Sequence, residues 1–415
     1  MPGTKLGRDL TRILVQKYGG TSVGDLGKLE VVAKRVHTSL ERCDKVVVVV
    51  SAMGGFTDEL IGMAKKIHTS PPKRELDMLV TTGERISSSL LGISLHKLGV
   101  SAISLTGSQC GILTDETHGN ARICHIQDSR LKACLDSNQV VIVAGFQGVS
   151  PVSKDITSLG RGGSDLTAVA LAIALKAEYC EINTDVEGVY TSDPRMVTSP
   201  KLITKLSWEE MTEMSWAGAG ILHYRAAFLA KKHKLPVVIR STQEHSNKQT
   251  LVEGSMTVED PFVTAITSKK HQVFLEICHK DVDPSIEVNS VAEFIRDYLW
   301  SFDESPLIFQ VSRRGAQYQV SLVFSEEHSD SLINELNQKF PSLQVDVSEV
   351  VASISIIGGG FKQNPDLLRT AYSCLKKPYI YSEINDSSIT FILRSGDLED
   401  GLEALHAHYF STPST

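Results

Sequence analysis

The residues best suited to chemistry in this sequence are a lysine, an arginine and an aspartate, each set among glycines. Lys17 stands in Lys17-Tyr18-Gly19-Gly20-Thr21-Ser22, at the end of a short apolar run. Arg161 and Asp165 stand in Thr157-Ser158-Leu159-Gly160-Arg161-Gly162-Gly163-Ser164-Asp165-Leu166, which runs into an alanine-rich helix expected from Val169 to Ala177. Glycines let the backbone approach a ligand where side chains would block it. Arg161 offers a planar fork that fits a carboxylate or a phosphate. Ser164 and Asp165 are expected at the helix N-cap, beside free N–H groups that bind anions. The chemistry suggested is anion handling at a helix start. Each stretch alone also reads as a plain glycine turn.

The elements that must position these groups alternate. A strand at Ile13 to Val15 leads through the Lys17 turn into a helix from about Leu26 to Arg42. The GxxxxGK[ST] spacing of a Walker loop is absent. Lys45 to Val50 is nearly all valine, as in a strand buried on both faces. It ends in Ser51-Ala52-Met53-Gly54-Gly55-Phe56-Thr57-Asp58, a second glycine turn opening a helix from about Glu59 to Ile67. After Pro71-Pro72 one long helix is expected, Glu75 to Leu98, with Thr82-Gly83-Glu84-Arg85 in its interior. Glu84 and Arg85 read by default as a solvated face. Gly83 costs roughly 1 kcal/mol there relative to alanine, which close approach by a ligand or another chain would explain.

Strands follow at Val100 to Leu105 and Val140 to Ala144, separated by a polar stretch and a helix at about Gln127 to Leu135. The strand Tyr179 to Asn183 runs into Thr184-Asp185-Val186-Glu187-Gly188-Val189-Tyr190-Thr191-Ser192-Asp193-Pro194-Arg195. Helices at about Trp208 to Ser215 and Leu222 to Lys234 precede a strand at Pro236 to Arg240. This order predicts an α/β fold, a mostly parallel sheet sandwiched by helices. Most of the glycine turns follow the carboxyl ends of strands, where such folds place ligands.

From Ser241 to Pro261 the chain is polar, consistent with a short hairpin and a linker. Beyond it, segments alternate as short strand, helix, strand, strand, helix, strand. A first round takes His271 to Ile277, Val291 to Trp300, Leu307 to Val311, Tyr318 to Phe324 and Ser331 to Lys339. A second takes Val351 to Ile357, Leu367 to Leu375, Tyr379 to Ser382, Ile389 to Leu393 and Leu398 to His408. This order suggests two small ferredoxin-like α+β modules. The expected division is residues 1–255, 256–349 and 350–415.

A chain of 415 residues with 41% hydrophobic and 22% charged residues is that of a globular protein of two or three domains. A net charge of -7 gives no basic field for nucleic acid, and no apolar run approaches a membrane span. The N-terminal residues lack an apolar signal segment. The seven cysteines include no CxxC pair, so reduced thiols in the cytoplasm are expected, with no metal site. The thirteen histidines show no metal spacing either.

Taken together, these motifs resemble the aspartate kinase family. The run from Lys17 to Ser22 is similar to that family's N-terminal signature. Thr82-Gly83-Glu84, the loop from Gly160 to Asp165 and the segment Thr184 to Arg195 match its other motifs in order and at similar spacing. The similarity runs from about residue 13 to 255, and the tail resembles the family's paired ACT modules. The short connection between Thr57 and Glu84 looks like the single-unit bacterial type.

The resemblance implies transfer of the ATP γ-phosphoryl group to the β-carboxylate of L-aspartate, the first step towards lysine and diaminopimelate, threonine and methionine. An acceptor carboxylate of pKa about 4 is already ionised at neutral pH, so positioning and charge cancellation matter more than a general base. By the resemblance, Lys17 stabilises the transferring group with the amides of Gly19 and Gly20, and Asp165 organises the lysine. Arg161 takes the α-carboxylate of aspartate and Glu84 its α-ammonium, with Ser51, Thr57, Gly162, Gly163 and Ser164 in support. Tyr18, Thr184, Asp185, Tyr190 and Arg195 match the nucleotide side, and Mg²⁺ comes with the phosphates. An amino-acid effector (lysine, threonine or diaminopimelate) and a homodimer or larger homo-oligomer through the ACT modules are family expectations.

Two departures stand out. Gly220 occupies a position where the family usually has lysine, so weaker ATP binding with retained catalysis is expected. In the tail, Ser353 to Pro365 resembles the second module's strand-to-helix turn, whereas Lys280 to Ser290 lacks the matching glycine and Tyr381 to Ser388 departs from the effector-site strand. Rival readings are another amino-acid kinase, acting on glutamate, acetylglutamate or uridylate, and a non-catalytic amino-acid sensor.

Overall fold

The computed structural model describes residues 12–243, 248–255, 262–279, 288–302, 304–314 and 317–410. The described chain divides into two compact units. One runs to Gly188 and resumes over Phe228–Glu253, and the other takes Val189–Ala227 and the chain from Gly254.

The first unit carries β1 (Ile13–Tyr18), α1 (Leu26–Ser39), β2 (Lys45–Val50), α2 (Phe56–Ile67), α3 (Lys73–Val80), α4 (Thr82–Lys97) and β3 (Ala102–Leu105). Next come β4 (Ile112–Thr114), β5 (Ile123–Ile126), α5 (Ser129–Asp136), β6 (Val140–Ala144), β7 (Gln147–Val149), β8 (Ile156–Ser158), α6 (Gly163–Ala174) and β9 (Tyr179–Thr184). β10 (Lys205–Leu206) and α7 (Trp208–Trp216) fall in the second unit. After α8 (Tyr224–His233), the strands β11 (Val237–Ser241) and β12 (Gln249–Val252) pair as a hairpin, of which only the second strand lies in the polar stretch where a hairpin is expected.

The main sheet contains the run β12-β11-β9-β1-β2-β6-β3, parallel except for β12. The valines of β2 are buried on both faces, as a sheet covered by helices requires. Val46, Val48, Val50 and Tyr18 pack with Leu29, Val32, Val36, Leu91 and Leu95 of α1 and α4. The helix α6 packs on β1, β2 and β9. A second, small sheet, β5-β4-β7-β8, has one strand, β4, in the expected polar stretch and the others in segments for which no strand is expected. Its three- and four-residue strands are too short to show periodicity.

The expected helix Glu75 to Leu98 is two helices, joined at Thr81. Gly83 and Glu84 therefore lie in the first turn of α4 and not in a helix interior. Ser164 and Asp165 are the second and third residues of α6, whose N-cap is Gly162 in the left-handed region, φ 66°. The sequence reading had placed them at the cap.

The second unit contains β13 (Phe262–His279), α9 (Val288–Trp300), β14 (Ile308–Arg314), β15 (Gln317–Ser325), α10 (Ser329–Lys339), β16 (Leu343–Val347) and β17 (Val351–Gly359). It ends with α11 (Pro365–Leu375), β18 (Tyr381–Ile384), β19 (Ser388–Arg394) and α12 (Leu398–Phe410). All of these strands belong to one sheet. The eighteen-residue β13 serves twice. Residues Gln272 to Cys278 pair with β15 and Leu275 to His279 with β16, giving the ferredoxin-like order β14-β15-β13-β16. Phe262 to Gln272 pair instead with β17, completing β18-β19-β17-β13. The second module thus borrows its fourth strand from in front of the first, which is inserted within it. Most of the sequence comparison at Lys280 to Ser290 lies outside the described residues. The second module's glycine turn has a local cause: a Cβ on Gly358 would sit 1.9 Å from the carbonyl oxygen of Phe262 in that borrowed strand.

Candidate active site

Alternation along β1 decides where Lys17 points. Tyr18 faces the α1 and α4 layer, so Lys17 projects to the opposite face, under α6. There its Nζ lies 2.6 Å from Asp165 Oδ1, with the two side chains 12% and 10% exposed. Asp165 sits in the first turn of α6, where the helix dipole favours negative charge. The pair is an ion pair at a helix N-terminus, mostly withdrawn from water.

Register gathers the turns. Tyr18 pairs with Val50 and Asn183, Val50 with Ala144, and Asn183 with Arg240. The turns after β1, β2, β6, β9 and β11 consequently share one edge of the sheet. Two glycines fit where these turns meet. A Cβ on Gly20 would lie 2.9 Å from the Ala52 carbonyl oxygen, and one on Gly145 would lie 2.8 Å from Ser164 Oγ. Asn183 braces the β1 turn, donating from Nδ2 to the Lys17 carbonyl at 3.3 Å while its own carbonyl accepts from Gly19 N–H at 3.3 Å.

Glu84 is 3% exposed and not part of a solvated face. Its Oε1 accepts from the Ala52 N–H at 3.0 Å, and its buried Oε2 has no hydrogen-bond partner among the described residues. Burial raises its pKa to about 7, against the pull of the backbone hydrogen bonds. Gly83 beside it is explained by the chain itself, because a Cβ there would lie 2.7 Å from the Ala52 Cβ. Helix α4 is pressed onto the turn after β2.

Arg161 lies exposed in a short loop between Gly160 and Gly162, both in the left-handed region at φ 77° and 66°. One residue separates it from the α6 start, so Arg161 and Asp165 share a helix N-terminus. Gly163 could not be larger, since a Cβ would meet the Phe146 ring at 2.9 Å. Phe146 itself, which the sequence reading passed over, holds φ at 69°, an uncommon conformation for a bulky residue. Its N–H donates to Thr167 Oγ1 at 3.2 Å and its carbonyl accepts from Leu159 N–H at 2.9 Å, which fixes both ends of the Arg161 loop. Only a left-handed aromatic would have signalled it, and a sequence does not print φ.

The other expected site residues are placed as follows. Ser51 is half-buried and donates its N–H to the Tyr18 carbonyl at 3.1 Å. Thr57 is the second residue of α2, also half-buried. Thr184 ends β9 and donates from Oγ1 to Asp185 Oδ1 at 3.0 Å. Tyr190 and Arg195 fall in the second unit. Tyr190 bridges to Leu202, and the Arg195 guanidinium grips Asp193 through Nε at 3.0 Å and Nη2 at 2.8 Å. That grip holds the Asp193 carboxyl below its usual range. Gly220 is exposed, and a Cβ there would meet nothing within 4 Å. All seven cysteines are free thiols. Among the described residues no helix is long and apolar enough to cross a membrane.

Comparison with known proteins identifies the family. Residues 12–241 match the amino acid kinase family. The aspartokinase of Geobacillus stearothermophilus is 39% identical over 404 residues, covering 95% of this chain and 96% of the relative. E. coli aspartokinase III, solved with aspartate and ADP, has the same fold at a TM-score of 0.81 and 23% identity, over 96% of this chain and 100% of that one. The same enzyme solved with lysine and aspartate superposes at 0.71 and 24% identity, over 96% and 99%. The chain belongs to the amino acid kinase family and, within it, to the aspartokinases.

Proposed function

We propose that this ATP-dependent kinase phosphorylates the β-carboxylate of L-aspartate, with Arg161 and Glu84 gripping the acceptor's zwitterion and Lys17 facing the transferring phosphoryl group. The observation that carries the acceptor assignment is the buried Glu84 Oε2, a carboxylate oxygen without a hydrogen-bond partner among the described residues. A buried lone carboxylate is costly, and an α-ammonium would give it both charge and hydrogen bonds. Arg161 stands at a neighbouring turn and suits the α-carboxylate by its planar fork. With both ends of the amino acid held, the β-carboxylate is left to attack.

Lys17 supplies the positive charge that cancels repulsion between this carboxylate and the nucleotide. The amides of Gly19 and Gly20 lie beside it, and a Cβ on Gly19 would come within 3.3 Å of Lys17 Nζ. Asp165 holds the ammonium in place, so the charge needs no reorganisation as the phosphoryl group moves. Ser51, Thr57, Gly162, Gly163 and Ser164 complete the acceptor side. Thr184, which ends β9, and Asp185 after it serve the nucleotide side, whereas Tyr18, fully buried against α1 and α4, has no part in it. The groups at Lys17 are its ammonium, backbone N–H groups and one carboxylate already paired with it, which offer few oxygen ligands and suit a Mg²⁺ ion carried by the phosphates over one caged by the protein. When bound, that ion neutralises phosphate charge.

We further infer an amino-acid effector (lysine, threonine or diaminopimelate) for the paired tail modules, assembly of at least a homodimer through them, and a cytoplasmic setting. The deciding experiment is ADP release measured with aspartate, with glutamate and without acceptor. Release above background with aspartate alone supports the reading, and equal release with glutamate defeats it.

A further inference from the structure

Helix α3 precedes the helix that carries Glu84, and strand β8 precedes the loop that carries Arg161. The two are joined by a buried carboxylate that none of the roles above employs. Asp77, near the end of α3, is 2% exposed. Its Oδ1 accepts from Ser158 Oγ, the last residue of β8, at 2.5 Å. Its Oδ2 faces His118 Nδ1 at 2.7 Å and accepts from Gly119 N–H at 3.2 Å. His118 and Gly119 sit in the turn between β4 and β5. That turn is folded by Asp115 Oδ1, which accepts from Thr117 N–H at 3.2 Å and Arg122 N–H at 3.1 Å. It is also tied to β8 by Ala121 N–H, which donates to the Ser158 carbonyl at 2.9 Å. Four residues beyond Asp77, the Thr81 carbonyl at the α3–α4 joint accepts from Gln147 Nε2 of β7 at 2.9 Å.

We propose that Asp77, Ser158 and His118 form a positioning node that sets the spacing between Glu84 and Arg161, and so the fit for an amino-acid zwitterion. Ser158 lies three residues before Arg161, and Asp77 seven residues before Glu84, across the α3–α4 joint. Both intervening segments are constrained, one by Leu159 N–H, which donates to the Phe146 carbonyl at 2.9 Å, and the other by the Gln147 bond. A shift at the node is therefore passed to both grips. Lys17 and Asp165 are anchored separately, by β1 and the α6 packing, so the node acts on aspartate and not on phosphoryl transfer. A carboxylate accepting three bonds at once is a junction of fixed geometry, because its partners come from two segments other than its own, the β4–β5 turn and the end of β8. None of the three side chains needs to touch the substrate.

The inference rests on the assignment of Glu84 and Arg161 to aspartate, and its test separates the two. Steady-state constants are measured for Ser158→Ala, His118→Ala, His118→Asn, Arg161→Ala and Glu84→Gln, with Tm recorded for each. Asparagine places an amide nitrogen where His118 Nδ1 stood. The expected result is an aspartate KM raised about ten-fold to a hundred-fold in Ser158→Ala and His118→Ala, as for a misplacement on the ångström scale. The kcat and ATP KM stay within about two-fold, and His118→Asn restores the aspartate KM. An unchanged aspartate KM in both alanine variants, or a fall in kcat in parallel with lost Tm, overturns the node while leaving the site assignment intact. If Arg161→Ala and Glu84→Gln leave the aspartate KM unchanged, the assignment itself fails and the node falls with it.

Discussion

Lys17 Nζ lies 2.6 Å from Asp165 Oδ1, joining the end of the first strand to the first turn of a helix nearly 150 residues later. The pair fixes a cation at the sheet edge where five turns meet. Losing one fixed donor to a developing charge typically costs about 100-fold to 1,000-fold in rate. Lys17→Ala is expected to lower kcat by that order while the aspartate KM changes little. Stopped assays of ADP formation check it. Retention of near-normal kcat would remove Lys17 from the chemistry.

Glu84 makes aspartate binding sensitive to pH. Its pKa is raised to about 7 by burial, so in the free enzyme it carries a proton below that value. The α-ammonium favours the ionised form, and binding must then expel the proton. The aspartate KM is expected to rise as pH falls from about 7 towards 5, roughly ten-fold per unit. Glu84→Gln should flatten that profile. Because the folded pKa lies above the unfolded one, the same group favours the folded state at low pH and loses that contribution as pH rises through about 7. Thermal melts of the wild type and Glu84→Gln across this window should diverge towards the alkaline side.

Gly83→Ala tests the contact between α4 and the β2 turn. The added Cβ would lie 2.7 Å from the Ala52 Cβ, so one element must shift, at a cost of about 1–3 kcal/mol. The Ala52 N–H bond to Glu84 sits at that contact. A lower Tm together with a higher aspartate KM is expected from calorimetry and kinetics, and a gain in Tm, as alanine usually gives in a helix, would contradict it.

Gly220→Lys is expected to fold without loss of Tm, since a side chain there meets nothing within 4 Å. If the usual lysine at this position contacts nucleotide, the ATP KM should fall in the variant with kcat unchanged. An ATP titration decides, and an unchanged KM would show that the missing lysine matters little here.

The turns at Lys17 and Arg161 were legible because strand, glycines and helix lie within a dozen residues of one another. The break at Thr81 was not. Gly83, two residues on, reads as a place of close approach rather than a break, and the joint is held by Gln147, whose approach depends on the fold. Glu84 read as a surface charge for the same reason, since the Ala52 turn that buries it lies some thirty residues away. The small sheet is not legible because three or four residues hold too few repeats for an alternation to stand out. Asp77 is an ordinary helical aspartate until Ser158 and His118 arrive from two other segments. In the tail, the helices and most strands stand where the pattern puts them, yet the double use of β13 is hidden, because Ser268-Lys269-Lys270-His271-Gln272 interrupts its apolar residues and only the part from His271 reads as a strand.

That double use makes the tail hard to take apart by genetic means. A fragment beginning at Val351 would keep β17, β18 and β19 but leave the edge of β17 bare, an open template for self-association. Any transplant of the second module would have to begin before Phe262 and carry the whole first module with it, or else rejoin the two segments in a permuted order.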